Sequence, residues 1–225
     1  MSYRSILTVT SAATNRLLTQ LSTVKTLMGL SDTTQDAKLN LLIPSASAAA
    51  ENFCNRTFAR DALSEKFQLN FDGIPWQAQQ PKSIQLRRFP VVPAAGPIVL
   101  TLTENGTVLD PASDFEIDYD VGQITRLDAA GYPRSWPTGQ LTVVYTAGYL
   151  LPADGGRNLP QEIEDAVIDI TRARFNAINR DPALKSVSVP DVATETYFSG
   201  ADMVEGISDY AKALLDNYRA PVVAR

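Results

Sequence analysis

Residues 141–161, LTVVYTAGYLLPADGGRNLPQ, constrain this chain more than any other stretch. They read as a strand that stops at a glycine, crosses a short polar loop and restarts as a helix. Val143, Val144 and Tyr145 favour a pleated strand, and Gly148 can adopt backbone angles closed to other residues. Asp154-Gly155-Gly156 marks a turn. Pro160 suits the first turn of a helix, where its missing N–H would have no partner anyway. Ile163, Ala166, Val167, Ile170, Ala173, Ala177 and Ile178 then make one apolar stripe at helical spacing. The stretch predicts a β module joined to a helical core.

The helical part begins upstream. Residues 1–18 have strand character at Ile6, Thr8, Val9 and Thr10 and read as an N-terminal extended arm. Ser22 or Thr23 is placed to cap a short helix bearing Val24, Leu27 and Met28, closed by Gly29. Thr33 or Thr34 can cap a second helix that runs to about Asn55, with Leu39, Leu42, Ala46, Ala49 and Phe53 at helical spacing. Pro44 lies inside it. A proline there removes a hydrogen bond and costs ~3 kcal/mol unless the helix bends or restarts, so a kink or break is expected near residues 42–44.

From Leu63 the period changes. Residues 64–71, 83–87, 98–104, 115–118, 123–127 and 140–146 form short segments, several alternating apolar and polar. Turn clusters such as Asp72-Gly73, Asn105-Gly106 and Thr138-Gly139 separate them. Asn105-Gly106 is a hairpin signal, because both central residues of a type I′ turn need positive φ. This pattern predicts a small antiparallel module rather than a parallel α/β sheet.

In the helix after Pro160, Glu162, Glu164, Asp165 and Asp169 precede Arg172, Arg174 and Arg180, the order a helix dipole favours. Asp181-Pro182 ends it. Residues 183–206 are polar with scattered β-branched residues and read as an extended arm. Ser208 can cap a final helix bearing Tyr210, Ala211, Leu214, Leu215 and Tyr218.

Composition then narrows the chemistry. There is no histidine, and Cys54 is the one cysteine. Imidazole-based triads, His-ligated zinc and two-cysteine metal motifs are therefore absent, as is an intrachain disulfide. Cys54, on the apolar side of its helix, reads as a small buried hydrophobe. The net charge of −5 argues against the usual nucleic-acid binder, which needs excess Lys and Arg, but does not exclude a protein that DNA slides past. No apolar run reaches the ~18–20 residues that span a bilayer, and the N-terminus lacks a signal-peptide pattern, so a protein made and used in a cytoplasm is expected. Asp118 and Asp120 flank Tyr119 beside a glycine turn, yet no further acid clusters with them, so a solvated hairpin is favoured over a carboxylate pair for catalysis or metal. Gly148 and Gly155-Gly156 lack the spacing of a phosphate loop and read as turns. No catalytic residue, metal or cofactor is assigned.

Four blocks in order resemble the tailed-phage head–tail connector (adaptor) proteins of the gp6-like group. The first, residues 22–58, has a short helix with Lys25, an acidic turn with Asp32 and Asp36, and a long helix ending in Arg56-Thr57-Phe58. The second is FEIDYDVGQITRL, residues 115–127, similar to the family's strand–glycine–strand hairpin. The third is the YTAGY–LP–helix succession, and the fourth is ALLDNYR, residues 213–219. Pro44 departs from the family's usual continuous helix, and the β module is longer than in its smallest members. The resemblance implies a non-enzymatic structural virion protein: a homo-oligomeric ring of twelve subunits between the portal protein and a tail or stopper protein, whose lumen lets genomic DNA pass without specific binding. It implies a place in the virion, with assembly in the host cytoplasm and no membrane. A carbohydrate- or protein-binding β module on a helical stalk is the alternative, and an exposed aromatic row on the β module would favour it.

The fold expected is α+β: a small helical core with an inserted antiparallel β module and a C-terminal arm ending in a helix. Its parts are an N-terminal arm (1–18), helical core (19–62), β module (63–147), helical core again (148–182), and C-terminal arm and helix (183–225). Ile168 and Phe175 are seven apart and lie off the main stripe. They either widen the core-facing surface or pack against a neighbouring subunit, in which case Phe175→Asp blocks assembly and spares the fold. The terminal helix either folds back on its own core or docks elsewhere, and the arm's reach favours docking. On that reading Tyr210, Leu214, Leu215, Tyr218 and Arg219 grip the portal, and a chain ending before Ile207 stays folded but loses that grip.

Overall fold

Alternation of core-facing and outward residues is obeyed along the two longest strands of the computed structural model, which describes residues 4–69, 81–93, 100–178, 186–189, 193–196 and 207–220. In strand β2, Asp61–Leu69, Leu63, Phe67 and Leu69 are buried while Lys66 and Gln68 are exposed. In β8, Gly139–Ala147, the buried set is Leu141, Val143, Tyr145 and Ala147. The two pair antiparallel along their whole length, from Asp61↔Ala147 to Leu69↔Gly139. Strands β1 (Arg4–Ser11), β4 (Thr101–Glu104) and β5 (Thr107–Val108) complete a five-stranded antiparallel sheet ordered β1-β2-β8-β4-β5. A second sheet, β3-β7-β6, joins Ser83–Gln85, Gln123–Arg126 and Phe115–Asp118. Leu63, Phe67, Val143 and Tyr145 from the first sheet share one core with Ile84, Phe115 and Ile124 from the second, and Trp136 lies fully buried in it.

The hairpin between β4 and β5 turns at Asn105 and Gly106, with φ of 48° and 88°, as their sequence predicts. Asn105 also explains Gly139. Its Oδ1 accepts the Gln140 N–H at 2.9 Å and lies 2.0 Å from where a Cβ on residue 139 would sit. The N-terminal segment is not a free arm. It supplies β1, which pairs with β2 from Arg4↔Gln68 to Ser11↔Ala62.

This β unit comprises Met1–Thr14 and Ala59–Tyr149; a second, helical unit comprises Asn15–Phe58 and Leu150–Arg225. The second contains α1 (Leu21–Met28), α2 (Asp36–Phe53), α3 (Gln161–Ile178) and α4 (Asp209–Leu215). Gly29 closes α1 at φ 69°, and the Leu30 N–H returns to the Lys25 carbonyl at 2.9 Å. The expected side-chain caps are not used: α1 and α2 start after Gln20 and Gln35, neither of which makes a capping bond. Val24 and Leu39, in the first turns of the two helices, are buried in one cluster.

No break occurs at Pro44, which sits inside a continuous α2. Pro44 and Asn40 are both exposed, so the carbonyl freed by the missing bond faces water. The buried stripe of α2 is Leu39, Ile43, Ala46, Ser47 and Ala50 rather than the one through Leu42, Ala49 and Phe53. In α3 the stripe at Ile163, Ala166, Val167 and Ile170 is buried as expected, but Ala177 and Ile178 emerge from it and Ile178 is 50% exposed.

Candidate interaction surfaces

The loop that opens α3 is held by its own side chains. The Leu150 N–H donates to Asn158 Oδ1 at 2.6 Å and the Leu151 N–H to Asp154 Oδ2 at 2.8 Å. The Asn158 and Leu159 N–H groups return to the Leu150 carbonyl at 3.1 and 3.2 Å. This closure brings Arg157 to Glu164, in the first turns of α3, with Nη2 to Oε2 at 2.7 Å. Glu164 has a side chain only 1% exposed, and Thr19 donates to its other oxygen at 3.1 Å. The polar loop residues that read as a simple turn thus place the counter-charge for a buried carboxylate.

The first resemblance block assembles around α1 and α2. Lys25 pairs with Asp36 at 2.6 Å, joining the lysine of the short helix to the acid that opens the long one. Arg56 lies over the Phe58 ring at 5.2 Å. Arg172 donates to the Leu27 carbonyl at 3.3 Å and Arg174 to Ser45 Oγ at 2.7 Å, so α3 is tied to both.

Ile168 and Phe175 fall on this internal contact. Ile168 is 8% exposed within a cluster of Val24, Leu39 and Ile43, and Phe175 is half-buried against the same cluster. What covers Ile168 is its own chain, because α1 and α2 occupy the face that helical spacing left open. Phe175→Asp would therefore strike the subunit's own packing as well as any neighbour's.

The terminal helix also folds back. Ile207, Ala211 and Leu215 are buried at 1%, 0% and 0% exposure, so of the apolar residues read on this helix Ala211 and Leu215 face its own chain. Ser208 caps α4 by accepting the Ala211 N–H at 3.1 Å, and its hydroxyl donates to Asp169 of α3. Beyond a 3₁₀ turn at Asp216–Tyr218, the Tyr218 hydroxyl donates to Glu162, and Arg219 stacks over Phe53 at 4.9 Å. The Ala220 N–H reaches the Cys54 carbonyl at 2.8 Å. Of the five residues assigned to docking, Leu215, Tyr218 and Arg219 are engaged within the chain, Leu214 is half-buried, and Tyr210 is 61% exposed.

Cys54 is enclosed by this arrangement: it is fully buried, and its Sγ donates to the Leu215 carbonyl at 3.6 Å. Burial pushes its thiol up to about 11. Against the ordinary 9.0, that leaves about a hundredfold less thiolate at pH 8. A maleimide or disulfide reagent should label Cys54 at least that much more slowly in folded protein than in denaturant; equal rates would mean that α4 does not cover it.

In the β unit, the second block forms the β6–β7 hairpin, with Gly122 at φ 69° and a hypothetical Cβ 3.2 Å from that of Phe89. Its Arg126 is 5% exposed and pairs with Glu104 at 3.3 Å and Asp114 at 3.0 Å. The Asp110 N–H, then this guanidinium, hold the Asp114 carboxyl below its usual range. Asp118 Oδ1 accepts the N–H groups of Asp120 and Val121 at 3.1 and 3.3 Å, which makes it a turn-forming side chain. Among the described residues no group of three or more His, Cys, Asp and Glu is placed to hold a metal, and no helix is long and apolar enough to cross a membrane.

These features define an α+β fold of two antiparallel sheets and a helical unit. Residues 18–85 match the family described as Phage gp6-like head-tail connector protein, a segment that contains the first of the four resembling blocks, residues 22–58. No curated protein matches the chain. Over 97% of both chains, the structure is similar to one from the neck of an empty GTA particle computed with C6 symmetry, at a TM-score of 0.52 and 18% identity. It is similar over the same shares to one from the neck of a native GTA particle computed with C12 symmetry, at 0.50 and 17%. The likeness establishes the fold. With the family segment it supports a structural connector role, and the matched family is not a class of enzyme.

Proposed function

We propose that the chain is a head–tail connector subunit that forms a ring in the virion between the portal vertex and the tail, assembled in the host cytoplasm. The observation that carries this reading is the end-to-end likeness to neck chains, reinforced by the connector segment at residues 18–85. Twelve subunits satisfy both C6 and C12 symmetry, so a twelve-membered ring accords with both related necks. A subunit charge of −5 suits a lumen through which DNA slides without being gripped. Portal protein lies on one side and a tail or stopper protein on the other.

In this reading Tyr210 and Leu214 meet the portal, while Leu215, Tyr218 and Arg219 fix the orientation of α4 from within. The outer edge of Phe175, with Ile178 one turn on, remains for a neighbouring subunit, and Ile168 supports them from beneath. Among the described residues of the β unit, Tyr119 and Tyr132, 38% and 69% exposed, lie on different loops and form no row, while Phe71 and Trp76 lie outside the described residues.

Tyr210→Asp tests the docking face without touching the buried stripe. The variant should keep its circular dichroism and its denaturation midpoint while its co-sedimentation with the portal falls at least tenfold. Native-level binding would move the portal contact away from α4. Electron microscopy of the native chain mixed with portal should show a ring; its absence would count against the connector reading.

A further inference from the structure

Two β elements of this chain are each incomplete: a sheet edge and a two-stranded hairpin. The first is the outer edge of β1. Among the described residues, this eight-residue strand pairs with β2 on one side and is the end of its sheet. Natural edges are guarded by charge, proline or bulges. Here the one charge is Arg4 at the start, there is no proline, and the register shift comes late, between Val9 and Ser11. Arg87 covers one carbonyl, that of Ser5, at 3.1 Å. Ile6 and Val9 are 47% and 44% exposed, so Ile6–Thr10 is an uncharged, β-branched edge.

The second element is a hairpin. Strands β9 (Ser186–Val189) and β10 (Ala193–Thr196) pair antiparallel, from Ala193↔Val189 to Thr196↔Ser186, as a sheet of two strands. Two strands alone are marginal in water; a third makes such a sheet stable. The hairpin lies between anchored ends. Ile178 closes α3, and Ile207 is buried at the start of the fold-back. The seven residues 179–185 and the ten residues 197–206 connect it to them. Seven residues can span up to about 25 Å, enough to carry the hairpin beyond its own helical unit.

We propose that the β9–β10 hairpin of one subunit adds to the β1 edge of the next, so that each subunit's five-stranded sheet is extended by its neighbour. This rests on the ring reading above. A closed ring needs two different, complementary patches on every subunit, and an open edge with a donated hairpin is such a pair. Each four-residue strand matches the regular run Ile6–Val9, and main-chain hydrogen bonds supply contact that does not depend on side-chain identity.

The test uses the full chain assembled with portal. Thr8→Cys and Ser188→Cys together, under mild oxidation, should give a ladder of covalent oligomers on a non-reducing gel. Neither single variant should, since native Cys54 is fully buried. Ile6→Lys with Val9→Lys should reduce ring particles at least tenfold with unchanged circular dichroism. The proposal is overturned if rings form while the double-cysteine chain stays monomeric, if it crosslinks only within one chain, or if residue 188 crosslinks to the portal instead. It is equally overturned if the lysine variant closes rings at the native level. Those results would leave the connector role standing. Failure of the native chain to form any ring would remove that role and this contact together.

Discussion

A chain ending at residue 206 is expected to lose about 5 kcal/mol of stability, or to fail to fold, before any question of docking arises. The residues removed include Ile207, Ala211 and Leu215, each at most 1% exposed. Burying a large aliphatic side chain contributes roughly 2–3 kcal/mol, and an alanine less. The truncation also strips partners from the Cys54 carbonyl and from Asp169. Since domains are stable by only about 5–15 kcal/mol, the loss is comparable to the whole. Urea denaturation of the truncated and full chains measures it. A truncated chain with a native midpoint would mean that α4 adds nothing to the helical unit, and would restore the freely docking helix that its amphipathic spacing suggests.

Arg157→Ala should cost about 3 kcal/mol, an unusual effect for an arginine whose side chain is 39% exposed. The expense lies in what it leaves behind: Glu164, with a side chain 1% exposed, would keep Thr19 as a donor and lose its counter-charge. Adding Glu164→Gln to Arg157→Ala should recover most of the loss, because the amide retains an acceptor for Thr19 and needs no cation. The pair is therefore diagnostic. If Arg157→Ala shifts the urea midpoint by less than the equivalent of ~0.5 kcal/mol, water already solvates Glu164 and the buried ion pair has no energetic role.

These two sites show where sequence stops being informative. The strands and the Asn105-Gly106 turn were legible because their signals are local: alternation at period two and a residue pair tolerant of positive φ. Helix existence was equally legible, but phase was not. In α2 the stripe through Leu42 and Ala49 and the stripe through Ile43 and Ala50 are almost equally apolar, and only the position of α3 decides between them. The same ambiguity put Leu215 with Tyr210 and Leu214 on the docking face of α4, whereas Leu215 is buried with Ala211 inside the chain. Glu164 read only as part of a charge order that suits the helix dipole; its counter-charge Arg157 is local, but Thr19, which donates to its other oxygen, lies 145 residues away in the sequence. Glu65 is similar: it is buried on β2 only because Tyr145 donates to it at 2.9 Å from β8 and the Arg87 N–H at 3.1 Å. Buried charges depend on remote partners, and periodicity carries no record of them.

The chain passes between its two units at residues 14–15, 58–59 and 149–150. During synthesis this fixes an order of completion. Every strand of the two larger sheets has been made once Ala147 has emerged, whereas α1 and α2 must wait for α3 to cover Leu39 and Ile43 and for α4 to cover Cys54. The earliest helices are thus finished last, by the final third of the polypeptide. A product terminated near residue 150 would pair a complete β unit with two naked apolar helix faces, a form that chaperones and proteases can distinguish from the finished subunit.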